Sequence, residues 1–201
     1  MTKFRTCGIL SSRYVVYESI MLKEVEIEKA VTRRFPEPVV LVVSKDKEGK
    51  VNMCPVGFFC LVAWEPKVWA ISLYEEHFTP KAISETGEFV VCLPSIEQVE
   101  DVLYCGSVHG WETDKTEKVK FNFLKSKFVK PPLIDDAIAC FECKVLKQLK
   151  VEDHILFLGK IVAAHESGKD WKRKIYNWDD KKLGTIKLGD EYQEADYCFE
   201  N

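Results

Sequence analysis

Three stretches carry side chains whose types and spacing can do chemistry. VNMCPVGFFC, Val51 to Cys60, holds two cysteines around a proline and a glycine. Such a pair can clasp a metal, cycle between dithiol and disulfide, or be incidental to a turn. The Pro55–Gly57 bend breaks the strand parity that would put Cys54 and Cys60 on one face, which leaves a structural and a redox role open. Cys140 and Cys143 have the C-x-x-C spacing that serves zinc or redox chemistry from a turn or helix start. They fall inside a strand-like run, where residues three apart point to opposite faces. No second pair accompanies them, so they read as buried core and no metal site is expected. HFTPKAI is the third stretch. Thr79 reads as a helix N-cap and Pro80 as the first helical residue. Free amides and a partial positive charge at such a start suit a phosphate, with Lys81 as a cation in the first turn and His77 just outside. An ordinary capped helix with a solvent-facing lysine accounts for the same residues. Glu75 and Glu76 oppose an anion there unless they point away.

Other chemistries lack their residues. The four histidines are isolated, without an HExxH pair. There is no GxSxG, P-loop or dinucleotide-binding glycine triplet. The net charge of −3 gives no global attraction to nucleic acid or a membrane surface, and the aromatics are not interleaved with a basic stripe. No apolar run approaches the roughly 18–20 residues that span a bilayer, and the N-terminus lacks a signal-peptide core. The expectation is a cytoplasmic protein that binds neither nucleic acid nor membrane. With 46% hydrophobic residues the chain is a globular one. Its eight cysteines, spread from Cys7 to Cys198, read mainly as reduced, buried apolar side chains, with internal disulfides an option in a hyperthermophile.

The elements that position these stretches are mostly strands. PVVLVVSKD and VWAISLY are β-branched runs, and VNMCPVGFFCLVAW lies between them with an expected bend or bulge at Pro55. A short helix ends at Gly87, and EFVVCL returns as a strand. SIEQVEDVLYCG is a second helix, capped by Ser95, with Ile96, Val99, Val102 and Leu103 on one face. IACFECKVLKQLKV and HILFLGKIVAAHES form a long antiparallel pair turned at VEDH, and KLGTIKLGDEYQ reads as a closing hairpin. Residues 1–30 read as an N-terminal arm or extension whose native start is either Met1 or Met21, and 31–201 as a single domain. Many strands with two short helices predict a mainly β fold, a barrel with helical insertions.

Set in order, these stretches resemble the flavin reductase-like family, which binds FMN in a split β-barrel. The resemblance runs over roughly residues 36–166 and rests on co-linearity: PVVLVVSKDKEGKVNMCPVGFF, EPKVWAISLYEEHFTPKAISETGEFVV, YCGSVHGWETDK, KPPLIDDAIACFECKV and EDHILFLGKIVAA. The nearest branch is the flavoredoxin type. The resemblance implies that Asn52, Met53, Cys54, Pro55 and Val56 match an Asn-x-x-Pro segment that lines the flavin ring, largely with backbone groups. It puts Ser72 and Leu73 beside the ring, Thr79 and Lys81 at the phosphate with His77 nearby, and Lys115 near the cofactor. His154 matches the histidine of a Gly-Asp-His motif on the nicotinamide side, with Glu152 where the family has glycine; a structural histidine at a strand start is the other reading. Its catalytic part would be positioning, since the flavin carries the chemistry.

The implied function is an FMN-binding oxidoreductase, homodimeric. It would pass electrons from NAD(P)H or an electron-transfer protein to a flavin, ferric or protein acceptor. An FMN electron-transfer protein without NAD(P)H activity, a non-enzymatic flavin-binding or sensing barrel, and a redox-active Cys54 beside the flavin are the alternatives.

Overall fold

The computed structural model describes residues 22–179 and 182–185. The alternative start at Met21, Cys7, Cys198 and the second half of KLGTIKLGDEYQ lie outside these residues. The chain divides into two units at Arg33/Arg34. In the first, α1 (Ile27–Val31) buries no residue, and Thr32 Oγ1 donates to the Lys29 carbonyl at 2.8 Å.

The second unit is built from strands. In chain order they are β1 (Glu37–Pro38), β2 (Val40–Lys45), β3 (Val51–Val56), β4 (Phe59–Trp64), β5 (Lys67–Tyr74), β6 (Glu88–Leu93), β7 (Phe123–Leu124), β8 (Leu133–Ile134), β9 (Ala139–Val151), β10 (His154–Glu166), β11 (Tyr176–Asp179) and β12 (Lys182–Gly184). Two helices interrupt them, α2 (Phe78–Thr86) and α3 (Val99–Ser107). Seven strands pair antiparallel in the order β3-β2-β6-β9-β10-β5-β4; β1-β11-β12 and β7-β8 form small separate sheets.

The apolar pattern explains the layering. The run VLVVS of β2 is buried throughout, which requires cover on both faces of the sheet. Val40 and Val42 join Ile71, Leu73, Phe89, Val91, Phe157 and Ile83 of α2 in one cluster, the inside of the rolled sheet. Leu41 and Val43 join Val90, Cys92, Val102 and Cys105 of α3 in the other. Gly159 lets β10 pass close to Phe89: a Cβ there would run into the Phe89 ring and lie 3.1 Å from Cys143 Cβ. Cys140 and Cys143 fall in opposite clusters, as strand parity predicts.

The long β9–β10 pair turns at Glu152–Asp153. Glu152 takes φ 48°, the left-handed region that glycine adopts most readily. Gly87 ends α2 with φ 71°, and Ser95 N–H donates to Gln98 Oε1 at 3.1 Å ahead of α3.

Three expectations are corrected. Pro55 makes no bulge: β3 keeps register with β2 from Val51 to Val56, because β3 is an edge strand. The Met53 carbonyl points away from β2, to Lys115, and Pro55 two residues on has the same orientation, so its missing N–H costs no ladder bond. The N-cap of α2 is His77, not Thr79, and Pro80 is the third helical residue. Proline is tolerated there because the first-turn amides have no intrahelical acceptor. Leu103 is exposed, since α3 turns Val102 and Cys105 inward. Lys182–Gly184 pair with Tyr176–Asp179, while most of the hairpin expected in KLGTIKLGDEYQ lies outside the described residues.

Candidate functional site

Two clefts meet at Cys54 and Pro55. The first, of about 220 Å³, lies between β3, the start of α2 and the loop after α3; Asn52, Thr79, His109, Gly110 and Lys115 line it. The second, of about 250 Å³, is lined by Val56, Phe58, Ser72, Leu73, Tyr74 and His154. His77 lines both.

Asn52 is 2% exposed, and its Nδ2 donates to Thr79 Oγ1 at 2.9 Å. Its Oδ1 is buried without a hydrogen-bond partner, in a residue that lines the first cleft. A buried amide oxygen left this way loses free energy unless a donor arrives from the cleft. Gly110 packs close to that oxygen, because a Cβ would collide with the Asn52 amide oxygen and sit 2.9 Å from Phe78 Cβ.

Lys115 is 3% exposed. Its Nζ donates to the carbonyls of Met53 at 2.9 Å and Cys105 at 2.5 Å, pinning the edge strand to the end of α3. An ammonium has three donors, so one remains beyond these two bonds, in a residue that lines the first cleft. Burial pushes Lys115 below the ordinary lysine range, with the Cys54 and Cys105 thiols working the other way. Burial raises the Cys54 thiol against the pull of Lys115 and Thr79, and pushes Cys105 up to about 12. Both are therefore protonated near neutrality, which disfavours Cys54 as a nucleophile. Burial also lowers His77, helped by His109, Lys115 and His154.

The second cleft has an aromatic wall. His154 stands 5.8 Å from both Phe58 and Tyr74, ring centre to ring centre, and its Nδ1 contacts Asp153 Oδ1 at 2.7 Å. Ser72 N–H is taken by the Phe58 carbonyl at 2.9 Å. Glu75 points to Lys150 Nζ at 2.6 Å, which removes one objection to an anion near α2.

Of the residues singled out in the sequence, Asn52, Cys54, Pro55, Val56, Ser72, Leu73, His77, Thr79, Lys115 and His154 line these clefts. Met53 turns into the core and offers only its backbone. Lys81 lies apart: its Nζ is 3.9 Å from Glu85 and 4.9 Å from the Trp111 ring centre. Sequence reasoning assigned no role to His109, Gly110, Phe58 or Tyr74. The two glycines around His109 in CGSVHG were the available signal.

The chain belongs to the flavin reductase-like family: the sequence profile "Flavin reductase like domain" matches residues 32–187. Among relatives, an uncharacterised protein of Archaeoglobus fulgidus is 32% identical over 152 residues, covering 75% of this chain and 85% of that one. Among solved structures, flavoredoxin from Methanosarcina acetivorans is similar with TM-score 0.74 and 25% identity, covering 87% of this chain and 95% of that one. A Shewanella frigidimarina flavin reductase candidate with a split barrel domain matches with TM-score 0.75 at 12% identity, covering 87% of this chain and 94% of that one. The fold is thus the expected split barrel, mainly β with a few short helices, and family membership carries a flavin-related redox function. Among the described residues no helix is long and apolar enough to cross a membrane.

The site's own chemistry fits a flavin. Asn52 Oδ1 lacks a donor, the edge strand presents backbone groups outward, and no side chain caps the start of α2.

Proposed function

We propose that the protein is an FMN-dependent oxidoreductase of flavin reductase or flavoredoxin type, working as a homodimer in the cytoplasm. The observation that carries this reading is the unpartnered, buried oxygen of Asn52, a residue lining a cleft that continues past Pro55 into an aromatic-walled second one.

FMN supplies reversible acceptance and release of electrons when bound. The chain's part is to bind and orient. The outward backbone of Val51–Val56 and the Ser72–Leu73 end of β5 border the flat ring. Thr79 and the free amides of the first turn of α2 take the phosphate, with His77 beside them. Lys81, held by Glu85 and Trp111, stays outside direct contact in this reading. Lys115 brings a buried positive charge to the cleft. His154, Tyr74 and Phe58 form the face against which a reductant docks, so that His154 positions and transfers no proton. NAD(P)H or a reduced electron-transfer protein is the donor; a free flavin, ferric iron or a protein is the acceptor.

A second reading, electron transfer without nicotinamide chemistry, is favoured by Glu152, which occupies the glycine position of the turn before His154. Anaerobic titration of the flavin-loaded protein with NADH and NADPH separates the two. Bleaching of the flavin absorbance at stoichiometric nicotinamide supports the reductase. Retention of the oxidised spectrum, with bleaching by dithionite alone, assigns the protein to electron transfer.

A further inference from the structure

Cys92 and Cys140 face each other across β6 and β9, in the middle of the seven-stranded sheet. Val145 N–H donates to the Gly87 carbonyl at 2.8 Å, which fixes the alternation along this strand pair. The Cys92–Cys140 position, five steps along, is then a non-hydrogen-bonded one, where facing Cβ atoms approach most closely. The two Sγ atoms are 2.6 Å apart. Closure to a bond of about 2.05 Å asks for a shift of about half an ångström between the sulfurs. Cys143 and Cys105 are also buried core thiols, but among the described cysteines it is the Cys92–Cys140 pair whose sulfurs touch.

The pair is asymmetric in access. Cys140 lines a cavity of about 70 Å³ with Leu133, Ile134, Asp135, Ala137 and His165, and Cys92 does not. That volume admits a few waters or a small peroxide. The hydrogen bond from Cys92 holds Cys140 below the ordinary thiol range, with burial and Asp135 opposing, while burial raises Cys92 well above it. Cys140 also contacts the Ile134 carbonyl at 3.5 Å.

We propose that Cys92 and Cys140 are a redox couple that closes reversibly into a cross-strand disulfide, oxidised by hydrogen peroxide entering through the cavity at Cys140. The Cys140 sulfur attacks one peroxide oxygen, the O–O bond breaks, and the departing oxygen leaves as water with the thiol's proton. Cys140 is then a sulfenic acid. The Cys92 sulfur attacks it, the S–O bond breaks, and the second water leaves with the Cys92 proton. Two thiols and one peroxide become one disulfide and two waters; each sulfur loses one electron and the peroxide gains both. A dithiol reductant reverses the closure by exchange.

The test uses the full-length wild-type protein, folded and reduced, given hydrogen peroxide in stoichiometric steps, then acid-quenched, alkylated in denaturant and digested. The expected result is loss of two hydrogens per chain, a dominant Cys92–Cys140 linked peptide, and full return to alkylated thiols after dithiothreitol. The melting temperature should rise by several degrees on oxidation, because the link constrains the unfolded chain. Alkylation of both cysteines after peroxide, accumulation of Cys140 as sulfinic acid beside a free Cys92, or a dominant link to any other cysteine would each overturn the proposal. The result does not depend on flavin binding and is obtained equally on the flavin-free chain.

Discussion

Asn52 Nδ2 donates to Thr79 Oγ1 at 2.9 Å, tying the edge strand β3 to the first turn of α2. Twenty-seven residues separate the two in sequence, yet this bond sets the distance between the proposed ring-binding and phosphate-binding segments. It also leaves the other amide atom, Oδ1, buried and without a partner in a residue that lines the cleft.

Replacing Asn52 with leucine removes both the tie and the oxygen. We expect FMN affinity to fall by about 10- to 100-fold, the range of one or two hydrogen bonds. Fluorescence quenching of FMN measures it, with circular dichroism showing that the sheet persists. Affinity equal to wild type would place the flavin elsewhere.

Thr79→Val and Lys81→Ala separate two candidate phosphate ligands. The valine variant should narrow the affinity gap between FMN and riboflavin. The alanine variant should leave it within about twofold, because exposed pairs such as Lys81–Glu85 contribute little. The opposite ordering would move Lys81 to the phosphate.

Glu142 is fully buried, and its carboxylate accepts the N–H groups of Lys127, Phe128 and Val129 at 2.8, 2.6 and 3.2 Å and contacts His165 Nε2 at 2.8 Å. Burial alone would raise its pKa; the amides and His165 outweigh that and hold it below the ordinary 4.5. The stabilisation is therefore fully present above the unfolded carboxyl value and is lost as pH falls through the lower folded one. Glu142→Gln should cost about 2–3 kcal/mol at neutral pH. Its denaturation midpoint should also vary less with pH than wild type's below the ordinary carboxyl value. An unchanged acid limb would assign that limb to other carboxylates.

Glu152→Gly should stabilise the protein by about 1 kcal/mol, because glycine adopts φ 48° without the Cβ penalty. Urea unfolding reads this directly. A destabilised variant would mean that the Glu152 side chain holds the turn.

These residues also show how far the sequence could be read. The β9–β10 hairpin, the stop at Gly87 and the opposite faces of Cys140 and Cys143 follow from periodicity and turn chemistry, which are local. The edge position of β3 is a property of sheet order, so Pro55 read as a bulge when an edge strand had already absorbed it. Only the family resemblance points to Lys115. Lysine is almost never buried, and nothing local reveals that its ammonium ends on the carbonyls of Met53 and Cys105. The diversion of Lys81 depends on Trp111, thirty residues along the chain, and the Asn52–Thr79 bond is just as non-local.

The most direct test of the central claim is to purify the full chain, release any bound small molecule by denaturation, and identify it by absorbance and mass. The account predicts FMN, or its uptake by the colourless protein at micromolar concentration to one per chain, with quenched fluorescence. A protein that releases no flavin and takes up no FMN at that concentration would contradict it.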